Sequence, residues 1–212
     1  VEVRPPDANH SGWDTALVPD GRGGMAVRLG LRTIGGFPEA AAARLLGARD
    51  GPYASLADLQ ARAGLTAAQV RRLAEADALR SLALDRRQAL WEAKALRDVP
   101  HLPLLGRADE GQEPAVALPP MALPEQVVAD YQTLRLSLKA HPMAFLRRSL
   151  REQGYLPAAA LAGTRHGQRA RLAGLVLVRQ RPGSAKGVCF VTLEDGRDLG
   201  EQGSPARRLV DR

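Results

Sequence analysis

Two consecutive glycines, Gly35 and Gly36, stand between the apolar residues Ile34 and Phe37. Glycine adopts backbone angles that a side chain forbids, so the chain can turn sharply here and expose its N–H groups. Backbone N–H groups at the start of a helix, with arginine nearby, suit a phosphate and do not distinguish one base from another. The pattern therefore predicts binding to a nucleic-acid backbone without sequence preference.

Two groups of residues are predicted to make such contacts. The first group surrounds the glycines and is expected to contact duplex phosphates: Arg32, Gly35, Gly36, Arg71 and Arg72. The second group is expected to follow a single strand: Arg179, Arg181 and Lys186. It lies in the stretch 164–187, which has five arginines, one lysine and no acidic residue. A basic hairpin of this kind resembles the opening strands of an OB-fold barrel, which binds single strands.

The bulk composition narrows the class of protein. The 212 residues suggest one or two domains, and the net charge of +7 favours a partner of negative charge. Cys189 is the only cysteine, which excludes an internal disulfide and a cysteine-based zinc site. The apolar runs are too short to span a bilayer, so no membrane partner is expected. The start at Val1 suggests part of a longer protein, and the lack of a signal-peptide pattern favours the cytoplasm.

Helix-start signals recur after the glycines. Ser55, Thr66 and Asp85 are each followed three residues later by an acidic residue or a glutamine. Such pairs cap the first turn of a helix, so they predict three short helices within about forty residues. Pro38 suits the first turn of the helix that follows the glycines. Together these signals predict a compact helical module over residues 28–96.

Other residues that can do chemistry have simpler interpretations. The histidines are scattered without metal-ligand spacing: His10, His101, His141 and His166. Three loop aspartates are interpreted as solvated turn formers: Asp7, Asp14 and Asp20. Trp13 and Trp91 are interpreted as packing residues. No catalytic residue, cofactor site or metal site is predicted in this chain.

Four phrases in a fixed order give the chain a specific resemblance. They are Leu31-Arg32-Thr33-Ile34-Gly35-Gly36-Phe37, Leu73-Ala74-Glu75-Ala76-Asp77-Ala78-Leu79, Leu136-Ser137-Leu138-Lys139-Ala140-His141-Pro142 and Val191-Thr192-Leu193-Glu194-Asp195. In this order the chain resembles the C-terminal part of the bacterial C-family DNA polymerases. The opening nine residues and the phrase from Val178 to Gly183 favour the error-prone branch of that family.

The resemblance implies a fold that is mainly α with a small β part. The expected order is a helix-hairpin-helix module, a linker and helix, and then an incomplete OB-fold-like β-hairpin. The resemblance divides the chain into six parts. They are the irregular end of a fingers region (1–27), the helix-hairpin-helix module (28–96), a Pro-rich linker (97–123), connecting helices (124–153), the start of an OB-fold domain (164–195) and an aberrant or disordered tail (196–212).

The resemblance also implies an activity for the whole protein. That protein would be a DNA-directed DNA polymerase of damage tolerance and repair, using Mg²⁺ in a palm region upstream of these residues. Its partners would be duplex DNA and single-stranded template, together with the sliding clamp and other damage-tolerance proteins. Two alternatives remain at this stage: a stand-alone DNA-binding module without chemistry, and part of the replicative polymerase III alpha subunit.

The sequence departs from the family pattern at two places. Pro38 occupies a position where the hairpin usually has glycine, and proline offers no N–H to a phosphate. After Asp195 the residues 196–212 are polar and unpatterned, where the family continues with an apolar strand. We therefore expect the apolar face of the basic hairpin to be partly exposed and the tail to lack strands. A frameshift in the gene is one hypothesis for the tail.

Overall fold

The computed structural model describes residues 1–98, 118–185, 188–196 and 208–211. They form two compact units, Val1–Leu138 and Lys139–Arg212. The elements are mainly helical with a small β part, which confirms the predicted fold class. The division after Leu138 falls inside the stretch 124–153 that the sequence predicts as connecting helices.

The first unit begins with a three-stranded sheet in the order β1-β3-β2. Its strands are β1 (Val3–Arg4), β2 (Ala16–Pro19) and β3 (Met25–Arg28). β3 runs parallel to β1 and antiparallel to β2. The sequence predicts residues 1–27 as irregular apart from an extended piece at 1–4 and a strand from Met25. Those two segments correspond to β1 and β3, whereas β2 is not predicted.

Specific hydrogen bonds in the turn between β2 and β3 close the hairpin that these two strands form. The Asp20 carboxylate accepts hydrogen bonds from the N–H groups of Arg22 (2.7 Å) and Gly24 (2.8 Å), and these bonds lower the pKa of Asp20. Gly21 and Gly23 have φ values of 81° and 87°, which other residues rarely adopt. A carboxylate and glycines together close a hairpin that the short strands alone would not specify.

Four helices follow: α1 (Glu39–Gly47), α2 (Leu56–Ala63), α3 (Ala67–Glu75) and α4 (Arg86–Ala95). Thr66 forms the complete reciprocal capping box with Gln69 that the sequence predicts. Ser55 accepts a hydrogen bond from the Asp58 N–H (3.1 Å), but the Asp58 carboxylate instead accepts from the Ala54 N–H (3.0 Å). That bond, with help from Arg62, lowers the pKa of Asp58. All three predicted helix starts are present, although only one is a full box.

The helices surround a core of aliphatic side chains. The leucines and the valine of this core that are only 0–1% exposed are Leu31, Leu45, Leu59, Val70, Leu73 and Leu79. Trp13 packs against this core as predicted. Trp91 is 49% exposed, so only part of its side chain is covered by the protein.

Asp7 is buried and holds the N-terminal loop against the helices. Its carboxylate accepts hydrogen bonds from the Asn9 N–H (2.9 Å) and from the Ser81 N–H after α3 (3.1 Å), and it contacts the His10 ring at 2.8 Å. At 5% exposure, Asp7 is not the solvated turn former that the sequence predicts. The Ser81 amide lies 74 residues away along the chain, so no local pattern could indicate this partner.

The last helix of the first unit is α5 (Leu123–Leu134). The sequence predicts connecting helices over 124–153, and the chain leaves the first of them at Arg135, where φ is 63°. Val127 and Leu134 are 1% and 7% exposed, so α5 presents one apolar face to the interior. Positive φ at a non-glycine residue is a strong helix stop that sequence does not reveal.

The second unit contains α6 (Pro142–Glu152) and a sheet of β4 (Leu175–Gln180), β5 (Cys189–Glu194) and β6 (Arg208–Asp211) in that order. The sequence predicts a basic hairpin within 164–195, and its first strand, β4, begins only at Leu175. Just before β4, a Cβ on Gly174 would lie 2.8 Å from the Glu194 carbonyl oxygen, so the two chains approach closely there. Leu177 is 51% exposed, in agreement with the expected partial exposure of the apolar face.

β6 pairs antiparallel with β5, from Cys189 opposite Asp211 to Thr192 opposite Arg208. The prediction that the tail 196–212 supplies no strand is wrong for these four residues. The apolar pair Leu209-Val210 suits a strand, and the edge of β5 opposite β4 offers N–H and C=O groups to pair with. Residues 197–207 and 212 lie outside the described part of the chain, so the frameshift hypothesis stays a hypothesis.

Candidate nucleic-acid interface

The glycine turn, residues 34–37, connects a short 3-10 turn at Leu31–Thr33 to α1. Gly36 has a φ of 75°, a conformation that glycine adopts without strain. The Gly36 N–H has no hydrogen-bond acceptor among the described residues, and the residue is exposed. This amide is therefore available to an external acceptor.

Gly35 has a different role. Its N–H donates a hydrogen bond of 2.8 Å to the carbonyl oxygen of Thr133 in the last turn of α5. A Cβ on Gly35 would lie 3.0 Å from that oxygen, a tight contact that a side chain could make only if Thr133 moved by a few tenths of an ångström. The sequence predicts that both glycine amides face a phosphate, but the amide of Gly35 is already used within the protein.

Arg72 lies beside Gly36. Its guanidinium nitrogen and carbon atoms are 3.7–3.8 Å from the position of a Cβ on Gly36. Arg71 and Arg72 both contact Glu75, at 3.6 and 2.9 Å, and their side chains are 57% and 52% exposed. Exposed ion pairs of this kind stabilise the fold little, so a phosphate can replace Glu75 at modest cost. The structure thus brings together Gly36, Arg71 and Arg72 of the predicted group.

Arg32 is engaged elsewhere. Its guanidinium contacts the Asp14 carboxylate at 2.5 Å, and both side chains are well exposed at 60% and 67%. The start of α1 adds no positive charge: Pro38 has no N–H, and Glu39 places a carboxylate in the first turn. Any phosphate at this surface would therefore depend on Gly36 and the arginines of α3 rather than on the start of α1.

A buried ion pair that no sequence pattern indicates connects α4 to α5. The guanidinium of Arg86 contacts the Asp130 carboxylate, and the two side chains are 1% and 5% exposed. Arg86 also donates to the Gln126 carbonyl oxygen at 2.9 Å, and the Ser137 hydroxyl donates to Asp130 at 2.7 Å. The pair spans 44 residues along the chain, which explains why no spacing rule could find it.

The second predicted group lies in the second unit. Arg179 is on β4 opposite Val191 of β5, and Arg181 follows directly after the strand. Both arginines are exposed. Lys186, the third member, lies outside the described residues.

Within the described ranges, no helix is long and apolar enough to cross a membrane. The same ranges contain no group of three His, Cys, Asp or Glu side chains placed to hold a metal ion.

Comparison with known proteins adds two findings. Residues 1–89 match the family described as the helix-hairpin-helix motif. The chain is 46% identical over 219 residues to the error-prone DNA polymerase of Sinorhizobium medicae, with 92% of this chain and 20% of that protein covered. It is 50% identical over 211 residues to error-prone DNA polymerase 1 of Agrobacterium fabrum, with 92% of this chain and 19% of that protein covered. It is 47% identical over 199 residues to the error-prone DNA polymerase of Ralstonia nicotianae, with 92% of this chain and 18% of that protein covered. The chain spans about a fifth of the length of these curated relatives, and it is homologous to a segment of the bacterial error-prone DNA polymerases.

Proposed function

We propose that this chain is the DNA-binding segment of an error-prone DNA polymerase and that its first unit contacts duplex phosphates without reading bases. The helix-hairpin-helix match over residues 1–89 and the polymerase relatives support DNA as the partner. The net charge of +7 supports a polyanionic partner independently of any homologue.

The neighbouring positions of Gly36 and Arg72 identify the residues that we propose contact the phosphate. The open amide of Gly36 and the guanidinium of Arg72 lie side by side on an exposed surface. An N–H donor beside a guanidinium binds a phosphate oxygen through charge-assisted hydrogen bonds and ignores the attached base. Arg71, on the same turn of α3, supplies a further positive charge.

The whole protein, in this proposal, synthesises DNA on a template during damage tolerance in the cytoplasm, with the sliding clamp and other damage-tolerance proteins as partners. Mg²⁺ would supply the phosphoryl-transfer chemistry. The aspartates Asp7 and Asp20 do not fit such an ion, because their carboxylates already accept hydrogen bonds from backbone N–H groups: Asp7 from Asn9 and Ser81, and Asp20 from Arg22 in the turn. We therefore assign the catalytic carboxylates to sequence outside this chain and derive no catalytic step here.

Replacing Arg71 and Arg72 with alanine tests the duplex contact. We expect duplex affinity to fall about tenfold or more at low salt, and the slope of log affinity against log salt to become shallower by about two, because two phosphate contacts are lost. Fluorescence anisotropy on a labelled duplex, repeated across a salt series with two unrelated sequences, measures both quantities. The loss should be the same on both sequences.

The matched control removes two other exposed arginines of the same unit, Arg22 and Arg97. It has the same net charge as the test variant, so it reports general electrostatic attraction. Equal losses in the two double variants would exclude a specific site at α3. A loss confined to one of the two DNA sequences would exclude backbone recognition.

We propose that the basic hairpin of β4 and β5 contacts single-stranded template. Replacing Arg179 and Arg181 with alanine is expected to weaken binding of an oligo-thymidine strand about tenfold and duplex binding much less. The control replaces Arg148 and Arg151, two exposed arginines of α6 in the same unit. If both DNA forms lose affinity equally, the arginines act only through general charge.

A further inference from the structure

The hydrogen bond between Gly35 and Thr133 ties the glycine turn to a helix far along the chain. Thr133 lies in the last turn of α5, where backbone carbonyls have no partner within the helix. The Gly35 N–H supplies one such partner at 2.8 Å. The bond satisfies a helix end and, at the same time, fixes the position of the turn.

α5 is itself held firmly in place. The Arg86–Asp130 pair is buried, and Arg86 donates a second bond to the Gln126 carbonyl oxygen of α5. Leu134, next to Thr133, is 7% exposed in the core. A helix anchored at its middle and at its end has little freedom to shift, so its final carbonyl offers a fixed point.

The two glycines of the turn therefore have different roles. Gly35 faces α5, because a Cβ there would meet the Thr133 carbonyl oxygen at 3.0 Å. Gly36 faces the guanidinium of Arg72 and keeps its N–H free of acceptors within the described residues. With Gly35 fixed, the backbone of Gly36 is held in its left-handed conformation beside Arg72.

We propose that α5 positions the glycine turn for phosphate binding, and that Gly35, Asp130 and Leu134 are positioning residues that do not contact DNA. This inference rests on the proposed duplex contact at Gly36 and Arg72. A preorganised donor loses less entropy on binding than a mobile one, so release of the turn from α5 lowers affinity without removing any DNA contact.

Gly35→Ala is the most direct test. Gly35 is not among the residues of positive φ, so alanine fits its backbone, and the added methyl group points at Thr133 rather than at solvent. We expect the amide of residue 35 to exchange about tenfold faster with solvent, and duplex affinity to fall about tenfold. Amide exchange followed by NMR and anisotropy on the whole 212-residue chain measure the two effects.

Gly47→Ala is the matched control, because it makes the same substitution in the same unit, at a position where the new methyl group meets nothing within 4 Å beyond its own helix and chain neighbours. It should change neither exchange at residue 35 nor affinity. Leu134→Ala provides a second test, since it loosens the last turn of α5 without adding an atom near the glycine turn. We expect faster exchange at Gly35 and weaker duplex binding in that variant also.

The outcomes separate this inference from the proposed function. If Arg71→Ala/Arg72→Ala loses duplex affinity while Gly35→Ala and Leu134→Ala bind as tightly as the unmodified chain, the positioning role of α5 is wrong and the duplex contact stands. Unchanged exchange at residue 35 in Gly35→Ala would also overturn the positioning role. If the double arginine variant keeps full affinity, the duplex contact itself fails.

Discussion

Replacing Asp130 with asparagine should lower the free energy of unfolding of the first unit by about 3–5 kcal/mol. The substitution keeps the size of the side chain but removes its charge, and it leaves the guanidinium of Arg86 buried without a counter-ion. Chemical denaturation followed by circular dichroism, on the whole chain, measures the loss. A decrease below about 1 kcal/mol would mean that Arg86 reaches solvent after the substitution.

The control for this result removes both charges. Arg86→Met/Asp130→Leu replaces the pair with apolar side chains of similar length, and such replacements are often neutral or stabilising. We expect the double variant to retain most of the stability that Asp130→Asn loses. If the double variant loses as much stability as Asp130→Asn, the hydrogen bonds of the pair stabilise the fold, and the cost in the single variant does not come from an unpaired buried charge.

Leu73→Ala should also lower the free energy of unfolding, by about 2–5 kcal/mol. Leu73 is fully buried on the inner face of α3, and alanine would leave a cavity in the core of the helical module. Thermal and urea unfolding measure the change. Duplex affinity below the transition should remain, because Arg71 and Arg72 lie on the exposed side of the same helix.

Leu17→Ala is the corresponding control. Leu17 lies on β2 and is 64% exposed, so the same change of side chain removes little buried area and should shift stability by less than about 0.5 kcal/mol. Similar losses for Leu73→Ala and Leu17→Ala would contradict the placement of the core between the helices.

The sequence predicted those features whose causes are local. Thr66 and Gln69 are three residues apart, and the capping box that they form needs no other part of the chain. The turn at Gly36 is likewise set by the residue that occupies it, since a φ of 75° favours glycine. Helix starts and the exposed arginines of α3 could therefore be predicted from local pattern, whereas the class of the fold followed from the resemblance to the polymerase family.

Features that depend on a distant partner could not be predicted in this way. Asp7 resembles any loop aspartate until the Ser81 amide reaches it across 74 residues. Gly35 and Gly36 are both glycine in the sequence, and only the approach of Thr133, far along the chain, shows that the Gly35 amide is used within the protein. β6 contains one short apolar pair in a polar tail, and it forms a strand because the edge of β5 is there to pair with.

The Arg86–Asp130 pair also has an evolutionary consequence. It joins two residues that are 44 positions apart along the chain and so fixes α5, which in turn holds the glycine turn. The position of the turn therefore depends on Arg86 and Asp130 and not on the number of residues between them. The entropy of bringing two chain ends together grows only with the logarithm of the number of residues between them, by about 0.6 kcal/mol for each doubling. Insertions and deletions between α4 and α5 should therefore be tolerated among descendants of this gene, while substitutions at Arg86 or Asp130 should be strongly selected against.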